Sequence, residues 1–224
     1  MAGFRALTFD VVGTLIDFET GILDGVRAQG VTTPDEQVLA GFAAAEDLQQ
    51  QLTPELPFTQ MLDPISRRMG LPEPAALRAS ITTWPAFPDA PGALARLHRG
   101  HRLVAFTNAD RAATAAFART LGDPFDDVVT VDDVRVNKPD PQFFAWGLAR
   151  LDAAGIGREE VLHVAQSRYH DIGTAHRLGL ATCWVERRRG RAGTGATPAP
   201  AAAVEPDLHV ADLAELTGLL GVPA

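Results

Sequence analysis

The chain opens on an apolar run, Phe4-Arg5-Ala6-Leu7-Thr8-Phe9, that ends in Asp10 and is followed by Gly13. A short apolar run closed by a glycine predicts a buried strand and a turn behind it. The period then changes. Over residues 16–87 apolar side chains recur at helical spacing, with Val38, Leu39, Phe42, Ala45, Leu48 and Leu52 in one stretch. A second stretch carries Phe58, Met61, Leu62, Ile65 and Met69, and a third covers Ala75 to Ile81. Thr33-Pro34-Asp35-Glu36 offers the first stretch an N-cap, a proline at the first helical position and a capping-box glutamate. Pro64 should kink or restart the second. The Met and Phe positions read as the core of a small helical bundle.

From Pro88 onward the period alternates. A helix over Gly92–His98 precedes a strand over Arg102–Phe106, a helix over Asp110–Leu121, a strand over Val128–Val131 and a helix over Pro141–Leu151. Val161–Ala165, Ile172–Leu178 and Ala181–Val185 continue the alternation, and Leu208–Val210 with Ala211–Leu220 closes it. This order predicts the α/β class, a parallel, Rossmann-like sheet covered by helices on both faces and joined by right-handed crossovers. The core would comprise 1–15 and 88–224, with the bundle of 16–87 inserted after the first strand as a cap over the sheet edge. Residues 186–206, with four arginines followed by a Gly, Ala, Thr and Pro-rich tract, read as an exposed flexible loop with a solvated charge run.

Composition narrows the function. With 46% hydrophobic and 21% charged residues in 224, the chain is of the ordinary globular type. A net charge of -8 argues against a general nucleic-acid binder. No apolar stretch reaches the ~20 residues of a membrane span, and the N-terminus lacks a signal-peptide pattern, so a cytoplasmic protein is expected. Cys183 is the only cysteine, which excludes an internal disulfide and reads as a buried, inert thiol.

The polar residues at the strand ends converge. Asp10 ends the first strand, Thr107-Asn108 the second, Lys138 precedes Pro139-Asp140-Pro141, and Ser167 and Asp171 follow Val161–Ala165. In open α/β sheets ligands bind at the strand C-termini. Each residue has an ordinary explanation alone: a turn, a surface lysine, a helix cap. Two carboxylates, an ammonium, hydroxyls and an amide at one sheet edge make a coherent site.

In these motifs the chain resembles the haloacid dehalogenase-like hydrolase superfamily over essentially its whole length. Asp10-Val11-Val12-Gly13-Thr14 matches the first motif, Thr107-Asn108 the second, Lys138 in Asn137-Lys138-Pro139-Asp140 the third, and Val164–Asp171 partly the fourth. The resemblance implies that Asp10 is the nucleophile, that Lys138 sits beside it, and that residues 16–87 are the cap. Phosphatases of the superfamily protonate the leaving alkoxide with an Asp two places after the nucleophile, where this chain has Val12. They bind Mg²⁺ through an early fourth-motif Asp, where this chain has Gln166, a poor ligand for a hard cation. The chain is most similar to the 2-haloacid dehalogenase branch, in which halide leaves unprotonated, an aspartyl ester forms and no cofactor takes part. That likeness implies roles for Thr14, Thr107 and Asn108 in orienting the carboxylate or substrate, and for Asp171 in positioning Lys138 or water. Val12, Ser167, Tyr169, His170 and Phe144 are the expected substrate contacts, Phe144 standing where the branch has a tyrosine. The branch's cap arginine has no confident match, Arg27 being the nearest upstream candidate. The substrate is expected to be a small anionic organic molecule, with no nucleic acid or membrane partner, and the branch implies a homodimer. Two other readings stay open: a phosphatase with a degraded Mg²⁺ site, and a binding protein that keeps the fold without turnover.

Overall fold

The computed structural model describes residues 3–200, 202 and 204–222. The extremes of the expected core at 1, 2, 223 and 224, and loop positions 201 and 203, lie outside the described residues. Strand β1 (Ala6–Phe9) is fully buried and lies between β2 (Arg102–Thr107) and β4 (Val161–Ala165), parallel to both. A strand covered on both faces needs no polar alternation, which is why its sequence is a nearly continuous apolar run. With β3 (Asp127–Thr130), β5 (Ala181–Val185) and β6 (Leu208–Val210) the six strands run in the order β3-β2-β1-β4-β5-β6, all parallel. The register pairs Phe9 with Ala105 and Val164, so Asp10, Thr107-Asn108 and Gln166-Ser167 emerge at one edge.

Among the described residues ten α-helices surround and interrupt the sheet. The insertion holds α1 (Phe18–Arg27), α2 (Asp35–Leu52), α3 (Phe58–Arg68) and α4 (Ala76–Ser80). The flanking helices are α5 (Ala90–Leu97), α6 (Arg111–Thr120), α7 (Val131–Val134), α8 (Pro141–Ala153), α9 (Gly173–Arg177) and α10 (Leu213–Leu219). A file of edge-on aromatic rings, Phe18–Phe42–Phe58–Trp84, links α1, α2 and α3 at centroid spacings of 6.5, 6.4 and 6.3 Å. No described helix is long and apolar enough to cross a membrane.

Three expectations are corrected. Helix α3 runs unbroken through Pro64 and does not restart there; the residue whose carbonyl Pro64 cannot bond, Gln60, is exposed. Thr33 does not cap α2: Pro34 holds the N-cap position with no side-chain cap, and the Thr33 carbonyl accepts from Arg27 instead. The third concerns residues 186–200, which fold back onto the inserted helices. Arg187 forms a two-pronged pair with Asp89 at 2.8 and 2.9 Å, donates to the Thr14 carbonyl at 3.0 Å and lies over the Phe87 ring. Arg188, 8% exposed, spans Glu19 of α1 at 2.5 Å and Glu36 of α2 at 2.8 Å. Gly195 has φ +62, and a Cβ there would fall 1.8 Å from Glu19 Oε1, so the loop tolerates only glycine where it crosses α1. Matching carboxylates far away in sequence turned a charge run into a clasp.

Candidate active site

Asp10 lies one residue past β1, where the backbone leaves the ladder and Gly13 takes φ +93 to turn the chain. The turn aims Asp10 into a small cavity of about 40 Å³ above the strand ends. Both carboxylate oxygens are held: Oδ2 accepts from Thr14 Oγ1 at 2.6 Å and Oδ1 from Lys138 Nζ at 2.9 Å. Thr14 Oγ1 in turn accepts from the Gln166 amide at 2.8 Å, which fixes its hydroxyl toward Asp10.

Lys138 is 1% exposed, and each of its three N–H donors has a partner. These are Asp10 Oδ1, Asp171 Oδ1 at 2.6 Å and the Phe106 carbonyl at 2.8 Å. Asn108 fixes the lysine's backbone from both sides, donating to its carbonyl at 3.0 Å and accepting from its N–H at 2.8 Å. Thr107 Oγ1 accepts from the Ala109 amide at 3.1 Å and tightens the turn that presents Asn108. Asp171 Oδ1 accepts a second bond from His163 Nε2 at 3.0 Å, and His163 Nδ1 pairs with Thr8 Oγ1 at 2.9 Å. Asp171 Oδ2 is buried without a partner among the described residues.

The electrostatics follow from this triangle. Burial by itself would raise Asp171, but Lys138 and His163 outweigh it and hold the carboxyl at about 2. Burial raises Asp10 above the ordinary aspartate value; Lys138 opposes this, Asp171 adds to it, and Thr14 lowers it again. The two carboxylates raise Lys138 above the usual lysine value against the effect of its burial. The site therefore keeps its ammonium charged throughout the neutral range.

The expected substrate contacts divide. Val12, Ser167 and His170 line the cavity with Asp10, as do Thr107, Asn108, Lys138 and Asp171. Ser167 Oγ bonds His170 Nδ1 at 3.1 Å, and His170 Nε2 donates to Gln50 Oε1 at 3.0 Å. Burial pulls His170 down to about 4, so the ring is neutral and occupied by these partners. Two expectations are corrected. Tyr169 does not line this cavity but a neighbouring one, with Gln50, Pro54 and Lys138, because its hydroxyl is drawn to Asp47 of α2, to which it donates at 3.1 Å. Phe144 is fully buried beneath the sheet, packed edge-on against Phe106 and His163, because its turn of α8 faces the core. Arg27 likewise points outward, bonded to the Val31 and Thr33 carbonyls and paired with Asp35.

Five cavity residues escaped the sequence reading: Phe18, Phe58, Ala109, Thr197 and Glu46. Glu46 had a signal, a charged residue interrupting the inward row of α2 one turn after Phe42. For Thr197 no local pattern marks a glycine-rich loop that reaches a site. A divalent cation fits this site poorly. Both carboxylates are already bridged by Lys138, Gln166 does not line the Asp10 cavity, and no described group of three His, Cys, Asp or Glu side chains is placed to hold a metal.

The fold and site define a parallel α/β protein with a buried carboxylate–lysine pair at the C-terminal edge of its sheet and a helical insertion after the first strand. The model of the haloacid dehalogenase-like hydrolase family matches residues 4–179, and the chain belongs to that family. It is 27% identical over 199 residues to (S)-2-haloacid dehalogenase 4A of Burkholderia cepacia, covering 82% of this chain and 84% of that protein. A shorter match, 31% over 136 residues, covers 59% of this chain and 50% of a phosphoserine phosphatase of Thermus thermophilus. The fold is similar to that of the L-2-haloacid dehalogenase of Xanthobacter autotrophicus with chloropropionic acid covalently bound, with a TM-score of 0.78, 22% identity, and coverage of 99% of this chain and 100% of that one.

Proposed function

We propose that this chain hydrolyses the carbon–halogen bond of small 2-haloacids without a metal ion, through an ester on Asp10. The observation that carries the reading is Val12: the side chain two places after the nucleophile lines the cavity and has no proton to give. Halide, unlike an alkoxide, leaves as a stable anion. Asp10, oriented by Thr14 and Lys138, attacks the halogen-bearing carbon from behind, the C–O bond forms as the carbon–halogen bond breaks, and the carbon inverts. Water then adds to the ester carbonyl and releases the 2-hydroxy acid. Asp171 Oδ2, the one oxygen of the triangle without a partner, is the acceptor left for that water.

Lys138 has no free N–H for the substrate, and the Ser167 and Thr197 hydroxyls are donated to His170 and Gln166, so the substrate carboxylate is met by the Thr107 hydroxyl and the second N–H of the Asn108 amide. The helices of 16–87 serve as the cap that closes this small space. The same reading carries a cytoplasmic setting and a homodimer. The test is halide release from a panel of 2-haloacids by EDTA-treated protein. Release should survive EDTA and fall by about 10⁴-fold or more in Asp10→Asn, as on removal of a nucleophile elsewhere. Mg²⁺-dependent phosphate release from a phosphoester, with silence on haloacids, would replace the reading with a phosphatase.

A further inference from the structure

Glu46 sits in the middle of α2 on the face that carries Phe42 and Gln50, is 4% exposed, and opens into the cavity that holds Asp10. Its neighbours are committed elsewhere: Gln50 takes His170, and Gln49 accepts from Arg68 and donates to Thr53. No hydrogen bond or ion pair engages the Glu46 carboxyl among the described residues, and Arg27, Arg68 and Arg188 are bonded to other groups. An enclosed carboxyl without a partner is costly to ionise. Burial first, then the charges of Asp47 on its own helix and Asp10 across the cavity, push Glu46 up to about 8. The other titratable groups around Glu46 are Lys138 and Asp171 from the sheet edge, neutral His170 from the loop, and Tyr169 beside Asp47, whose phenol Glu46 helps to raise, while α1 and α3 contribute only Phe18 and Phe58 to the cavity. At neutral pH Glu46 therefore presents an O–H.

Backside displacement sends the leaving group away from Asp10. The wall opposite the strand ends is the cap, made of Phe18, Glu46 and Phe58, in which Glu46 is the polar member. We propose that Glu46, delivered by the cap, is the hydrogen-bond donor to the group that leaves the carbon attacked by Asp10. This rests on the dehalogenase reading above and assigns a residue to its leaving-group side. As the Asp10 oxygen forms its bond to carbon, the electron pair of the breaking bond goes to the halide, and the Glu46 O–H bonds to that halide and keeps its proton. Hydrolysis of the ester then adds one water and frees one proton, so that haloacid and water become hydroxyacid, halide and H⁺. A neutral donor serves the stronger acceptor best, so the residue matters most for fluoride, then chloride, then bromide.

The test is steady-state halide release from 2-fluoro-, 2-chloro- and 2-bromopropionate between pH 6 and 10 by wild type, Glu46→Gln and Glu46→Ala. Glu46→Ala should lose about 100-fold on the fluoride and about tenfold on the bromide, in the range seen when one donor to a developing anion is removed. Glu46→Gln keeps an N–H donor without a titrating proton, so it should retain activity within about tenfold and lose the wild-type fall in rate above pH 8. An infrared difference spectrum of wild type against Glu46→Gln at pH 7 should show a protonated carboxyl band. An equal loss on all three halides, an unchanged alkaline limb, or no such band overturns the assignment while leaving the dehalogenase reading intact. No halide release by the wild type overturns both. Should Glu46→Ala fail to fold, the near-isosteric Glu46→Gln decides through the pH profile and the spectrum.

Discussion

The cavity has two walls, and each contains a carboxyl group removed from water. On the sheet-edge wall Asp171 stands at about 2, and on the cap wall Glu46 stands at about 8. Burial pushes both upward, so burial does not distinguish them. The difference is that Asp171 accepts from an ammonium at 2.6 Å and an imidazole at 3.0 Å, whereas Glu46 is paired with no cation among the described residues. One wall is thereby a fixed charge cluster and the other a neutral donor. A displacement reaction uses both, a nucleophile held beside its cation on one side and a donor that stabilises developing negative charge on the other.

The comparison breaks most completely at Lys138. Lys138→Met leaves Asp10 and Asp171 buried together without their cation, and should abolish halide release and lower stability by about 3–5 kcal/mol. Turnover and urea denaturation read the two effects. The clasp between loop and cap comes next. Arg188→Met strands Glu19, half of a 2.5 Å ion pair, and should cost about 3 kcal/mol and open residues 190–200 to limited proteolysis.

Glu46→Gln sharpens the comparison in the opposite direction. The folded chain holds the Glu46 proton up to about 8, the unfolded chain only to 4.5. Between those values unfolding releases a proton, so wild-type stability falls as pH rises. The glutamine variant lacks this loss. It should match wild type below about pH 4 and exceed it by about 3 kcal/mol at pH 7, as followed by Tm across pH. The smallest effect is expected at Arg27, whose partners lie at the half-exposed outer end of the cap. Arg27→Ala should change stability by less than about 1 kcal/mol and leave the rate on every halide unaltered, as equilibrium unfolding and the same halide panel would measure.

Much of the sheet-edge wall was legible in the residues alone. Asp10, Thr107-Asn108, Lys138 and Asp171 each follow or approach a strand end, and a parallel sheet brings all strand C-termini to one edge whatever the side chains in between. Val12 could be interpreted for the same reason, since its place relative to Asp10 is fixed by two peptide bonds. The cap wall was not legible. Which of Phe42, Glu46 and Gln50 faces Asp10 depends on the rotation and docking of α2, and these are set by the packing of Phe18, Phe42, Phe58 and Trp84 on one another. The arginines at 187 and 188 read as solvated because their partners, Asp89, Glu19 and Glu36, lie about a hundred residues or more away.

By itself, then, the sequence determined the order of elements, the class of the fold and the pairing of Asp10 with its lysine at the sheet edge, because hydrophobic period and strand-end position are local properties of the chain. Tertiary structure alone decided which carboxyl is charged and which is neutral, which arginine clasps the cap, and that Phe144 and Tyr169 stand away from the site. Those outcomes depend on what each side chain meets across the fold, and desolvation and ion pairing are energies of that meeting.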